Sequence, residues 1–239
     1  MPLSKLKFFR ETNGMFEAVI LAGGFGSRLK SVTGPTPKPM VDLNGVPFLY
    51  RLLEQLQIFG CTRVVLSLGY ESQFFIDRIG VDKPVDIEVD WVVEDRPLGT
   101  GGGIRLAAKK INSESFVVLN GDTFLDIDYA EFYRKSIESD LFMSAAKVED
   151  VSRYGTLDLA SDHALVKFQE KGTAGPGLIN AGAYVLNRFD ILSYPEDSFS
   201  FEREFLPNYQ KRIEVFVMEG FFIDIGIPED FRKAERYFL

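Results

Sequence analysis

The sequence predicts an α/β fold: a Rossmann-like, mostly parallel central sheet flanked by helices, with a small antiparallel lid or subdomain in the C-terminal half. Three observations predict it. Short, continuous apolar runs such as residues 17–23 and 64–70 have the pattern of strands buried on both faces. Segments with helical spacing stand between them, which is the rhythm of a parallel sheet covered by helices. From about Ala145 the strands become shorter and are separated by Gly, Asp, Ser and Pro, as in antiparallel structure.

Taken in order, residues 1–16 are mixed in polarity without a clear period and read as a peripheral extension; a start at Met15 would be compatible with this. EAVILAG (17–23) is the first strand. PFLYRLLEQLQIFG (47–60) places Leu49, Leu52, Leu53 and Leu56 on one helical face, with Pro47 in the first turn and Gly60 at the end. VVLSLGY (64–70) is a strand, SQFFIDRIG a short helix, DIEVDWVVE (86–94) a strand, GIRLAAKKI (103–111) a helix, and FVVLNGD (116–122) a strand ending in a turn. RYGTLDLA, ALVKFQEK and AGAYVLN are the shorter strands. EREFLPNYQKR is a helix broken near Pro207, EVFVMEGFFIDIG holds two short strands, and PEDFRKAERYFL is a terminal helix with Pro228 in its first turn. Residues 17–239 read as one domain, with a first part over about 17–144 and a second part over about 145–239.

The 239 residues suffice to bury about 70 to 75 per cent of the unfolded surface without disulfide or structural metal. Twenty-two phenylalanines among 46% apolar residues predict an aromatic-rich core. A net charge of −8 without acidic runs disfavours nucleic acid as a partner and requires any anion site to be local. The single Cys61 and the lack of a leader-like apolar run favour the cytoplasm, and no stretch approaches the length of a membrane span. A homo-oligomer is compatible with the aromatic content.

LAGGFGSRLKSVTGPTPKP (21–39) stands at the carboxyl end of the first strand, where open parallel sheets bind ligands. Leu29 occupies the place of the third glycine of a dinucleotide fingerprint, and no Walker GK[ST] is present. Gly23, Gly24 and Gly26 let backbone N–H groups converge on an anion, Arg28 offers a forked cation, and Lys38 is held between Pro37 and Pro39. Taken alone, the loop is equally compatible with a surface turn carrying two solvated cations. Asp122 and Asp224 each follow an apolar strand, and two carboxylates beside phosphates suit Mg²⁺, although either one alone also reads as a turn cap.

LAGGFGSRLKSVTGPTPKPM, EDRPLGTGGGI, VVLNGDT, FQEKG, INAGAYVL and FFIDIGIPED follow one another in the order found in the sugar-1-phosphate nucleotidyltransferases, which this chain resembles from about residue 17 to its end. RLKSVTGPTPKPM followed by DLNGVPFL is most similar to the branch of heptose 1-phosphate guanylyltransferases. The resemblance implies a nucleotidyltransferase type A-like fold and a nucleotide site of Leu21, Ala22, Gly23, Gly24, Gly26, Ser27, Arg28, Lys38, Glu94, Gly99, Thr100 and Asp122. It implies sugar-phosphate contacts from Gly121, Gly155, Glu170, Lys171 and Asn180, metal ligation by Asp122 and Asp224, and a catalytic set of Arg28, Lys38, Asp122, Lys171 and Asp224. Lys171 without its motif would read as a surface lysine. Lys30, Ser31 and Val32 replace the proline and threonine of many members, and Ile227 stands where DIGTP is more usual; the first departure weighs against glucose-type thymidylyl or uridylyl transfer.

The reaction so implied is transfer of a nucleoside monophosphate from NTP, with GTP expected, to D-glycero-α-D-manno-heptose 1-phosphate, in surface polysaccharide biosynthesis. The attacking phosphate is already an anion, so no base is required, and the only histidine, His163, sits in the polar turn ASDHAL as a surface residue. A carboxylate at Glu94 can accept the N1–H and 2-amino donors of guanine; it can also simply be solvated. Uridylyl transfer to N-acetylmuramate 1-phosphate or a hexose 1-phosphate stays open, as does a non-catalytic module that binds nucleotide sugars, against which stand the retained Lys38, Asp122 and Asp224.

Overall fold

The computed structural model describes residues 15–24, 34–169 and 174–239. A mixed sheet of nine strands dominates; seven run in the order β10 (Leu165–Gln169), β9 (Thr156–Leu159), β11 (Gly177–Asn187), β6 (Ser115–Asn120), β1 (Phe16–Leu21), β4 (Cys61–Leu68) and β5 (Glu88–Val93), while β8 (Leu141–Val148) pairs with β11 and β12 (Ile213–Val217) pairs with β8. Its parallel heart consists of β1 (Phe16–Leu21), β4 (Cys61–Leu68), β5 (Glu88–Val93) and β6 (Ser115–Asn120). The helices α1 (Phe48–Ile58), α2 (Ser72–Val81) and α3 (Gly99–Ala108) follow successive strands, as the alternation predicts.

Side-chain alternation along the central strands builds a core on each face. Ala18, Ile20, Val64, Leu66, Val117 and Leu119 join one apolar cluster with the Leu49, Leu52, Leu53 and Leu56 stripe of α1. Val19, Val65, Phe116 and Val118 join the other, with Ile104, Ala107 and Ala108 of α3. The expected phenylalanine core is present: Phe16, Phe48, Phe75, Phe116, Phe132 and Phe201 are all fully buried.

The antiparallel part of the C-terminal half is continuous with this sheet. After β7 (Thr123–Leu125) and α4 (Tyr129–Lys135) come β8 (Leu141–Val148), β9 (Thr156–Leu159), β10 (Leu165–Gln169) and the long β11 (Gly177–Asn187). β11 pairs antiparallel with β6, β8 and β9, so it joins the two parts. α5 (Arg188–Leu192) follows, and Phe201–Phe205 makes a wide helical turn in which Phe205 N–H donates to Ser200 C=O, 3.1 Å away, before Leu206–Asn208 carries the break near Pro207. β12 (Ile213–Val217), β13 (Phe222–Asp224) and α6 (Pro228–Tyr237) complete the chain. The short strands β2 (Asp42–Leu43) and β3 (Val46–Pro47) form a separate hairpin.

One expected boundary is corrected. The helix read over 103–111 begins at Gly99 and ends at Ala108. Glycine's low helix propensity hid the first turn. Its glycines serve close packing instead: Gly101 and Gly102 donate backbone N–H bonds of 3.0 and 3.3 Å to Phe199 C=O, and Gly99, at φ +73°, sits where a Cβ would meet the same oxygen at 2.5 Å.

Gly121 is the other position where a side chain has no room. It follows β6, donates to Leu21 C=O at 2.9 Å, and a Cβ there would stand 2.4 Å from that oxygen. Gly121→Ala is therefore expected to push β6 from β1 at a cost of about 2 kcal/mol or more, read as a lower urea midpoint with unchanged slope. A midpoint equal to that of the parent would contradict this packing.

Candidate active site

Strand register brings the site together. Leu21 at the end of β1 pairs with Ser67 of β4 on one side and Asn120 of β6 on the other. All three lie on the wall of a cavity of about 480 Å³ at the carboxyl ends of the parallel strands, within the usual range for small-molecule sites. Gly23 and Gly24 continue the wall beyond β1, and Ala22 is buried behind it with its N–H on Ser67 C=O at 2.9 Å.

One end of the cavity is charged. β13 pairs antiparallel with β7, setting Asp224 opposite Thr123, and Ile225 N–H donates to Asp122 C=O at 3.0 Å. Two carboxylates far apart in sequence are thereby held side by side. Lys38 enters from a single helical turn, Lys38–Met40, whose flanking prolines restrict its backbone. Its buried ammonium donates to Asp122 Oδ2 at 2.6 Å and to Asp224 Oδ1 at 3.2 Å. Asp224 also accepts from Gly226 N–H at 2.7 Å, and Asp122 from Thr123 Oγ1 at 3.2 Å. Burial, and then the neighbouring charge of Asp122, push the Asp224 carboxyl above its usual value; Lys38 works against both.

The donors suit a hard divalent cation. Two neighbouring carboxylates, one of them with its proton affinity raised by burial and by the charge of the other, gain from a positive charge between or beside them. Among the described residues no cluster of three or more His, Cys, Asp or Glu makes a closed cage. An ion here would keep waters and take substrate oxygens, as Mg²⁺ does.

The other end holds Glu94 and the first turn of α3. Glu94 Oε2 accepts from Leu98 N–H at 2.9 Å, and burial raises the carboxyl's pKa against that bond. Gly99 and Thr100 line the cavity beside it. Thr100 Oγ1 accepts from Phe201 N–H at 2.8 Å and donates to Glu202 Oε2 at 2.7 Å, which brings Glu202 to the same wall.

Of the residues singled out from the sequence, Leu21, Gly23, Gly24, Lys38, Glu94, Gly99, Thr100, Gly121 and Asp122 line this one cavity, and Asp224 bonds to Lys38 at its edge. Gly26, Ser27, Arg28, Glu170 and Lys171 lie outside the described residues. Gly155 and Asn180 sit together, with Asn180 N–H donating to Gly155 C=O at 3.0 Å, and neither is among the residues that line the cavity. The Asn180 amide donates to Tyr184 Oη at 2.7 Å and accepts from Gly182 N–H at 3.1 Å, so it is engaged within the fold. His163 is exposed on its turn.

Sequence reading missed Ser67, Asn120 and Glu202. For Ser67 a signal existed, a lone hydroxyl inside the apolar run VVLSL at the strand end. For Glu202, which meets Thr100 across about a hundred residues of sequence, there was none.

A sequence profile of the nucleotidyl transferase family matches residues 17–239. The D-glycero-alpha-D-manno-heptose 1-phosphate guanylyltransferase of Aneurinibacillus thermoaerophilus is 38% identical over 226 residues, covering 92% of this chain and 97% of that protein. The enzyme of the same name from Campylobacter jejuni is 37% identical over 217 residues, covering 90% and 96%. Two crystal structures of HddC from Yersinia pseudotuberculosis, one of them complexed with GMP-PN, superpose with a TM-score of 0.88 at 49% identity, over 94% of this chain and 100% of that one.

Proposed function

The chain belongs to the nucleotidyl transferase family, and within it we propose that it transfers GMP from GTP to D-glycero-α-D-manno-heptose 1-phosphate, releasing pyrophosphate. The observation that carries this is the layout of the cavity, with a half-buried carboxylate at one end and an ammonium between two carboxylates at the other. That is a binding profile for a base bearing donors joined to a polyphosphate. The relatives named as heptose 1-phosphate guanylyltransferases, and the GMP-PN complex of HddC, support the choice of base and sugar.

The chemical task is to bring two polyanions together and to stabilise the charge that accumulates at the α-phosphorus. An oxygen of the sugar 1-phosphate attacks that phosphorus in line, and pyrophosphate departs. The nucleophile needs no deprotonation near neutral pH, in keeping with a site wall that contains no histidine. Lys38 places a fixed positive charge beside the reacting phosphates, and Asp122 and Asp224 hold its ammonium in position. Asp122 and Asp224 would also hold Mg²⁺, which would neutralise phosphate charge when bound. Arg28 and the backbone of Gly23, Gly24 and Gly26 are assigned to the departing pyrophosphate, and Lys171, Glu170 and Asn180 to the sugar phosphate, on the strength of their motifs. A triphosphate substrate supports a cytoplasmic setting, and a nucleotide-activated heptose is a glycosyl donor suited to surface polysaccharide assembly.

Glu94 is assigned to the N1–H and 2-amino groups of guanine. Glu94→Gln, which turns one acceptor into a donor, is expected to lower kcat/KM for GTP about 30- to 100-fold and to narrow the gap to UTP. An unchanged nucleotide profile would remove Glu94 from base selection.

The test of the reaction is pyrophosphate release with Mg²⁺ and D-glycero-α-D-manno-heptose 1-phosphate or α-D-mannose 1-phosphate, across GTP, UTP, CTP, dTTP and ATP. Release confined to GTP with the heptose phosphate is expected. Preference for UTP would refute the guanylyl assignment, and silence with every pair would refute catalysis on these sugars.

A further inference from the structure

Ser67 is fully buried at the end of β4 and belongs to the cavity wall. Among the described residues its hydroxyl has no hydrogen-bond partner. Such orphans are rare in folded proteins, and each calls for an explanation. Ser144, also fully buried in a strand of the same sheet, behaves in the ordinary way: its Oγ donates to Ala183 C=O at 3.1 Å and accepts from Ala183 N–H at 3.0 Å.

The surroundings of Ser67 point into the base end of the cavity. Side-chain alternation along β4 sets Ser67 on the same face as Val65, toward α3. That helix carries Gly103, where a Cβ would lie 2.8 Å from Ser67 Oγ and 2.9 Å from Glu94 Oε1. Glycine is disfavoured in a helix interior relative to alanine, yet here it leaves the hydroxyl and the carboxylate facing the same small space.

Resting on the guanylyl reading above, we infer that the Ser67 hydroxyl is a specificity-determining contact that donates to the 6-oxo group of the guanine base. Glu94 offers only acceptors, which match the N1–H and 2-amino donors. The neighbouring oxo group is an acceptor that Glu94 cannot satisfy. A buried acceptor left bare would weaken binding, and Ser67 provides a rotatable donor on the wall that Glu94 occupies.

The experiment measures KM and binding affinity for GTP, ITP and 2-aminopurine riboside triphosphate with the parent protein and Ser67→Ala. GTP and ITP share the oxo group, whereas 2-aminopurine lacks it. Ser67→Ala is expected to weaken GTP and ITP alike by about tenfold, to leave 2-aminopurine and the sugar-phosphate KM unchanged, and to melt no lower than the parent, since an unpaired buried hydroxyl has been removed. GTP affinity within twofold of the parent would overturn the contact, and so would an equal loss for all three nucleotides, which marks a change of cavity shape. A loss for GTP that spares ITP would place the hydroxyl on the 2-amino group and overturn the assignment to the oxo. A parent protein that neither binds nor turns over GTP would refute the guanylyl reading itself and remove this inference with it.

Discussion

Asp122→Asn is expected to lower kcat on the order of 10³-fold or more while leaving the protein folded. The substitution keeps the shape of the side chain and the backbone bond from Ile225 N–H to Asp122 C=O. It removes the charge that draws Lys38 Nζ to 2.6 Å and that, with Asp224, makes the phosphate end of the cavity suited to Mg²⁺. Lys38 would retain Asp224 alone, at 3.2 Å. The expected record is an unchanged melting temperature within a few degrees, GTP binding without Mg²⁺ close to the parent, and turnover lost at every Mg²⁺ concentration. Turnover near the parent rate would take Asp122 out of the reaction.

Lys38→Met is expected to be as damaging to turnover, and it should also cost stability where Asp122→Asn does not. The ammonium is buried and separates two carboxylates. Without it Asp122 and Asp224 face each other uncompensated, and the already raised Asp224 carboxyl rises further. A fully buried pair stripped of its partner loses several kcal/mol, but the Asp122 side chain is 38% exposed, so water screens the repulsion and about 1 to 2 kcal/mol is expected. The penalty should shrink when Mg²⁺ is added, because the ion supplies the missing positive charge. An apo protein as stable as the parent, with no response to Mg²⁺, would contradict this arrangement of charges.

How much of this could be read from the chain depended on the range of the interaction. The β1, β4, β5 and β6 strands and the helix over Phe48–Ile58 were legible because their apolar spacing is local. Gly99, Thr100 and Glu94 were legible as a motif, but the helix beginning at Gly99 was not, since its glycines are set by contact with Phe199, distant in sequence. Asp122 and Asp224 were each visible at a strand end. That they meet, and that Lys38 is the group between them, follows from the β13–β7 pairing, which has no local signature. Ser67, Asn120 and Leu21 share the wall because three strands are in register, a relation that no single segment records.

In the proposed reaction a sugar phosphate attacks the α-phosphorus of GTP in this cavity. Sugar 1-phosphate carrying ¹⁸O in its non-bridging phosphate oxygens reports on this attack through mass spectra of both products after one turnover. All of the label is predicted in the GDP-sugar, part of it in the new bridge between the phosphates, and none in the pyrophosphate. GMP with pyrophosphate beside unchanged labelled sugar phosphate, or label in any phosphate other than that of the nucleotide sugar, would contradict it.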